Sequence, residues 1–144
     1  MGNFKSEFYF TAFKKLKKAY LSFAQDELKT YSLSPNEIEV VSFLKGKSCG
    51  SEIAREFDVS KTLVSRSVSY LLKKELIKVE NGTVDKREKI LSLTEKGKQL
   101  AEEIEDMKDH FFTKALKHFE DREKQVLEAL LKLLLRNISE IQTV

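Results

Sequence analysis

At 144 residues the chain has the length of one domain, enough to build an apolar core without disulfide or metal staples. Its 26 Lys and Arg against 23 Asp and Glu leave a formal net charge of +3, too small to argue for a polyanionic partner unless the charges are segregated along the chain. A single cysteine, Cys49, excludes an internal disulfide and any multi-cysteine zinc site, and it fits a reducing compartment, so a cytoplasmic location is expected.

The first residues, Met1-Gly2-Asn3-Phe4-Lys5-Ser6, match the short myristoylation pattern, but the sequence runs on as a helix and lipidation is not expected. The sequons at Asn81 and Asn137 matter only in a secreted chain, and no charged-then-apolar leader is read. Tyr9, Phe13, Leu16, Tyr20 and Phe23 recur at spacings of four and three, the signature of one apolar helix face. Lys14, Lys15, Lys17 and Lys18 occupy its other side. A second helix opens at Ser34-Pro35-Asn36-Glu37, where Ser34 caps, Pro35 takes the first helical position and Glu37 completes a capping box.

Next, Gly50 to Phe57 reads as a short helix with Ile53, Ala54 and Phe57 inward. A turn at Asp58-Val59 follows, then a further helix capped by Ser60. Short helix, tight turn and longer helix make a helix-turn-helix. Ile77–Glu80 and Lys89–Leu93 alternate as two strands about the turn dipeptide Asn81-Gly82 and form a small wing. Thr94 caps a long helix with Leu100, Ile104, Met107, Phe111, Ala115 and Phe119 on one face. A last helix carries Leu127, Leu130, Leu131, Leu134, Ile138 and Ile141. Its longest apolar run, Leu133 to Leu135, lies between Lys132 and Arg136 and falls far short of the roughly 20 residues of a bilayer span, so no membrane partner is expected.

The helix opening at Ser60 holds the informative chemistry. Val64, Val68, Leu71 and Leu72 fall on one side, Thr62, Ser65, Arg66, Ser69 and Lys73 on the other, and no carboxylate occurs from Ser60 through Lys74. An ordinary solvated face mixes signs; this one is acid-free and precedes a hairpin rich in Lys86, Arg87 and Lys89. Together these features point to duplex DNA. The short hydroxyls let the helix approach a groove floor, and Arg66 is the residue suited to bidentate contact with guanine. Lys61, Lys73 and also Lys74 suit phosphates, which supply affinity without sequence information.

The segment Asp85-Lys86-Arg87-Glu88-Lys89-Ile90-Leu91-Ser92-Leu93-Thr94-Glu95-Lys96-Gly97 resembles the wing of the MarR family of winged helix-turn-helix regulators, D-x-R, then three residues, an apolar residue and x-L-T-x-x-G. Ile53-Ala54, Val64-Ser65, Leu71-Leu72 and Leu76-Ile77 extend the resemblance over nearly the whole chain. It implies a mainly α fold with a two-stranded β wing. It further implies Arg87 in or beside the minor groove, with Asp85 orienting its guanidinium through an ion pair. Glu75 stands where the family usually has glycine, so a less sharp helix end is expected there.

The terminal helices carry more apolar face than a lobe of residues 34–94 can cover, so residues 1–33 and 95–144 are read as a helical dimerisation region within a single structural domain. The resemblance implies a two-fold homodimer whose reading helices meet pseudo-palindromic double-stranded DNA about one turn apart, roughly 34 to 36 Å. It also suggests a repressor released by a small aromatic or anionic effector lodged between the dimerisation helices and the DNA lobe. No phosphate loop, nucleophile turn or metal motif is present, so neither an enzyme, a cofactor nor a metal is expected. His110 and His118 are eight positions apart, and Cys49 sits beside Lys47. A metal- or redox-sensing regulator on the same fold therefore stays an alternative, as does a winged-helix module that docks an acidic protein surface.

Overall fold

In the computed structural model, which describes residues 5–44, 61–82 and 89–142, the aromatic spacing near the N-terminus becomes α1 (Ser6–Glu27). Ala24 is buried on its last turns, while Tyr20 and Phe23 pack partly against the same core. Leu28 closes the helix by donating its N–H to the Ala24 carbonyl at 3.0 Å, and a single 3-10 turn (Lys29–Tyr31) leads to Ser32 in the left-handed region. α2 (Pro35–Phe43) starts as read from the sequence: the Ser34 side chain accepts from the Glu37 N–H, and Glu37 accepts from the Ser34 N–H.

The next described element is α3 (Lys61–Lys73), followed by β1 (Ile77–Asn81), β2 (Lys89–Leu93), α4 (Glu95–Ala115) and α5 (Asp121–Gln142). The short helix, the turn and the Ser60 cap proposed between Gly50 and Ser60 lie outside the described residues, as does Cys49. β1 and β2 form one antiparallel pair in which Ile77 opposes Leu93 and Asn81 opposes Lys89. The end nearest the helices is buried through Ile77, Leu91 and Leu93, whereas Lys78, Val79, Glu80 and Lys89 stand in solvent. The fold is thus mainly α with a two-stranded wing, as the sequence predicts.

Residues 1–109 and 110–144 form two compact units. The core of the first gathers Val41, Leu44, Leu71, Leu76, Leu100 and Ile104, all essentially inaccessible. Residues from α2, α3, the wing base and α4 therefore share one apolar centre, and they hold α3 with one side free.

The end of α3 departs from expectation. Glu75 takes φ 61°, the Leu76 N–H reaches the Leu71 carbonyl at 3.1 Å, and the Glu75 N–H reaches the Leu72 carbonyl at 3.0 Å. These two bonds are a Schellman closure, with Leu76 and Leu71 completing its usual apolar contact. The helix stops sharply although no glycine is present, because tertiary packing of Leu76 forces the left-handed residue on a glutamate. Glu75→Gly is accordingly expected to raise stability by about 1 kcal/mol, visible as a higher midpoint in urea, since the side chain has no packing role that would offset the relieved strain. An unchanged or lowered midpoint contradicts the strain.

Three further expectations are corrected. Leu72 is 36% exposed and does not join the core, while Ser67, about 140° round the helix from it, is only 4% exposed and does. α4 ends at Ala115, and His118 adopts φ 73°. Phe119 therefore lies beyond that helix and not on its face. Leu100, Ile104, Met107 and Phe111 do line a buried face of α4, but Ala115 is exposed.

Candidate nucleic-acid interface

α3 is oriented by its apolar side. Val64 and Leu71 are buried with Ser67, and Val68 and Tyr70 pack partly against the core. With that face anchored, Thr62, Ser65, Arg66, Ser69 and Lys73 all emerge into solvent as one continuous surface. Lys61 opens the helix, and its side chain lies outside the described residues. Neither Arg66 nor Lys73 is engaged by a carboxylate among the described residues.

The wing begins three residues after α3, so its base is fixed to the reading surface by the Schellman turn and not by a flexible linker. Lys89 stands exposed at the last strand pair and donates from Nζ to Asn81 Oδ1 at 3.1 Å, which ties the two strands across their open end. Asp85, Lys86 and Arg87, the residues on which the wing contact was placed, lie outside the described residues. Lys78 and Glu80 form an exposed pair at 3.9 Å on β1, too solvated to shape the surface.

Lys74 is not available to phosphate. Its Nζ donates to the Tyr31 carbonyl at 2.9 Å and sits 5.2 Å from the centre of the Tyr70 ring, while the Tyr70 hydroxyl donates to the Ser32 carbonyl at 2.7 Å. Tyr70 on the last turns of α3 and Lys74 just beyond its end are thus latched onto the connection between α1 and α2. The Tyr31 hydroxyl in turn donates to Glu103 of α4. That hydrogen bond, with smaller contributions from burial and from the Glu103 charge, pushes the Tyr31 pKa up to about 12, so the donor stays protonated throughout the neutral range. Sequence reasoning missed this latch because its acceptors are backbone carbonyls, which leave no trace in residue identity.

Thr94 and Gly97 hold the other side of the joint. The Thr94 hydroxyl accepts from the Gly97 N–H at 3.0 Å and donates to the Glu75 carbonyl at 2.7 Å, while the Thr94 N–H reaches the Leu76 carbonyl at 3.1 Å. One residue therefore caps α4 and stitches it to the turn after α3.

Between α1, α2 and α3 lies a cleft of about 500 Å³ lined by Lys17, Tyr20, Glu39, Leu63, Val64 and Ser67 among others. Its volume is in the range of small-molecule sites. Burial, with a further push from Glu39, raises the Tyr20 pKa to about 12, so the ring presents a neutral phenol, with Lys17 and Glu39 as the charged groups of the lining. Among the described residues no group of three or more His, Cys, Asp or Glu side chains is placed to hold a metal ion, and no helix is long and apolar enough to cross a membrane.

Residues 44–111 match a family model described as an ArnR1-like winged-helix domain. The whole fold is shared with solved regulators. A MarR transcriptional regulator from Methanosarcina mazei Go1 superposes with a TM-score of 0.87 at 18% identity, covering 97% of this chain and 95% of that one. A SlyA-like transcription regulator from Listeria monocytogenes gives 0.78 at 24% identity, with coverage of 97% and 91%. A MepR variant of S. aureus bound to an oligodeoxyribonucleotide gives 0.62 at 19% identity, with coverage of 94% and 99%. No curated protein matches the chain at a significant level.

Proposed function

We propose that this chain, which has the winged-helix fold of the MarR-type transcriptional regulators, is a dimeric DNA-binding regulator acting in the cytoplasm and not an enzyme. The observation that carries the reading is the acid-free, solvent-facing side of α3, held by a buried opposite side and followed at once by a wing. Thr62, Ser65, Arg66 and Ser69 read base edges in the major groove. Lys61 and Lys73 hold phosphates, and Lys86, Arg87 and Lys89 engage the backbone and minor groove from the wing, with Asp85 steadying Arg87. A solved MepR variant of this fold is bound to an oligodeoxyribonucleotide, which supports the same use of the surface.

Dimer formation is supported by apolar surface on the terminal helices. α1 exposes Phe8, Tyr9, Phe10, Phe13 and Leu16, and α5 exposes Val126, Leu130, Leu131, Leu134 and Ile138. Soluble monomers seldom leave such contiguous stripes in water. Residues 1–33 and 95–144 are assigned to the dimer contact and residues 34–94 to the DNA lobe. Deleting residues 121–144 is expected to turn a dimer into a monomer in sedimentation velocity, and an intact dimer after the deletion refutes the role given to α5.

The dimer acts as a repressor, and the cleft between α1, α2 and α3 supports release by a small aromatic or anionic effector. A ligand there meets the Tyr20 ring and Lys17, and it presses on Leu63, Val64 and Ser67 of the reading helix itself. Selection of bound fragments from random duplex DNA tests the whole proposal. Recovered half-sites spaced by about one helical turn support it; failure to retain any duplex at low ionic strength overturns it.

A further inference from the structure

The C-terminal end of α3 and the turn after it are tied to α4 at two places. At the first, the Thr94 hydroxyl donates to the Glu75 carbonyl at 2.7 Å, and the Lys96 Nζ donates to the Lys74 carbonyl at 3.3 Å. At the second, the Tyr31 hydroxyl donates to Glu103, and the Tyr31 carbonyl accepts from the Lys74 Nζ at 2.9 Å. Thr94 and Glu103 lie about 13 Å apart along the helix at a rise of about 1.5 Å per residue. All of these residues belong to the compact unit of residues 1–109.

The two attachments constrain different things. The first, at the start of α4, is a pivot: alone it holds the end of α3 in place and leaves the helix free to swing about that point. Burial of Val64 and Leu71 limits how far α3 can leave the core, but apolar contact has no preferred direction. Hydrogen bonds weaken steeply as they depart from a straight line, so a second attachment far from the pivot fixes the angle. The connection between α1 and α2 is shaped for that task. Ser32 takes φ 53° and ψ 49°, a left-handed conformation that a residue with a Cβ holds only where surrounding contacts over-determine it. The carbonyls of Tyr31 and Ser32 then accept from Lys74 and Tyr70, which are four positions apart and on one side of the helix line. The Lys74 ammonium, 5.2 Å from the centre of the Tyr70 ring, adds a cation–π contact between the two. The Tyr31 side chain carries this assembly on to Glu103, which stands exposed on α4.

We infer that Tyr31 is a positioning residue for DNA recognition: its hydroxyl on Glu103 and its carbonyl on Lys74 fix the angle of α3 against α4, and so set the separation of the two reading helices that a dimer presents to DNA. The inference rests on the dimeric DNA-binding reading above, in which α4 belongs to the dimer contact and α3 to the reading surface. Tyr31 touches no base or phosphate in this role. It makes the protein selective for the distance between half-sites, and the sequence of each half-site is left to the exposed side of α3. The selectivity it supplies can be no larger than the bond itself is worth, because a contact biases two arrangements only by its difference between them.

The test measures binding of the full chain to the operator recovered by selection, to the same operator with one base pair added or removed between its half-sites, and to a single half-site. One base pair shifts the half-sites by about 3.4 Å and turns one against the other by about 35°. Y31F removes the hydroxyl and keeps the ring and the backbone carbonyl. Its preference for the selected spacing over the altered ones should fall by about 2- to 10-fold, the span of one hydrogen bond, with affinity for the single half-site unchanged. E103A should give the same loss, and the double variant no more than either alone. E103Q keeps an acceptor and should retain the wild-type preference. Thermal melts followed by circular dichroism report folding, and E103A decides should Y31F fail to fold.

A folded Y31F with the wild-type spacing preference overturns the inference and leaves the DNA reading standing. Equal weakening on every duplex, the single half-site included, does the same, as do losses that add in the double variant or an E103Q that behaves like E103A. Wild-type protein that binds duplex with no spacing preference, or binds none, overturns the dimeric DNA-binding reading and the inference together.

Discussion

Gly97→Ala is expected to cost about 2–3 kcal/mol of stability. A Cβ at position 97 would overlap the carbonyl oxygen of Leu76 and lie 3.1 Å from its carbonyl carbon and 3.3 Å from Leu93 Cβ. The first obstacle is backbone, and that backbone is not free to retreat. The Leu76 carbonyl accepts from the Thr94 N–H, and Leu76 itself is fully buried. Relief requires the first turn of α4 to move away from the turn after α3, which strains the Thr94 bonds to Glu75 and Gly97. For a protein of this size the midpoint of thermal unfolding should fall by about 5–10 °C. A melt within 1–2 °C of the wild type, allowing about 2–4 °C per kcal/mol, refutes the close-packing account. The same joint sets the wing against α3, so the variant should also bind duplex more weakly at temperatures where it remains folded.

Arg66→Ala and Arg87→Ala are expected to weaken operator binding by about 5- to 150-fold each, the range of one bidentate base contact worth ~1–3 kcal/mol, with no change in the thermal melt. Arg66 projects from the exposed side of α3 between Thr62 and Ser69, and no neighbouring carboxylate among the described residues neutralises it. Its loss should relax selectivity at one base-pair position and spare random DNA more than operator. Arg87 falls in the sequence between β1 and β2 and carries the proposed minor-groove contact, so its removal should narrow the footprint at the flanks. Fluorescence anisotropy on paired operator and random duplexes separates these outcomes. Unchanged affinity in both variants removes the assigned reading surface.

The capping box at Ser34, the cap at Thr94, the two wing strands and the apolar faces of α1, α3 and α4 were all legible in the sequence. Each depends on residues within a few positions of one another, where side-chain chemistry and periodicity act directly on the backbone. The acid-free side of α3 was legible for the same reason: burial of Val64 and Leu71 leaves only one orientation for Thr62, Ser65, Arg66, Ser69 and Lys73.

Contacts between distant segments were decided by tertiary structure alone. Leu76 had to reach the core, and that requirement placed Glu75 in a left-handed conformation and closed α3 without a glycine. Lys74 had the charge and the position in sequence to meet a phosphate, yet the Tyr31 backbone carbonyl at the end of the 3-10 turn accepts from its Nζ. Ser67 replaced Leu72 at the core because the helix was rotated by its neighbours and not by its own periodicity. Local sequence sets what each segment prefers, whereas packing a single apolar centre selects among those preferences, and a backbone carbonyl as partner is invisible until the chain is folded.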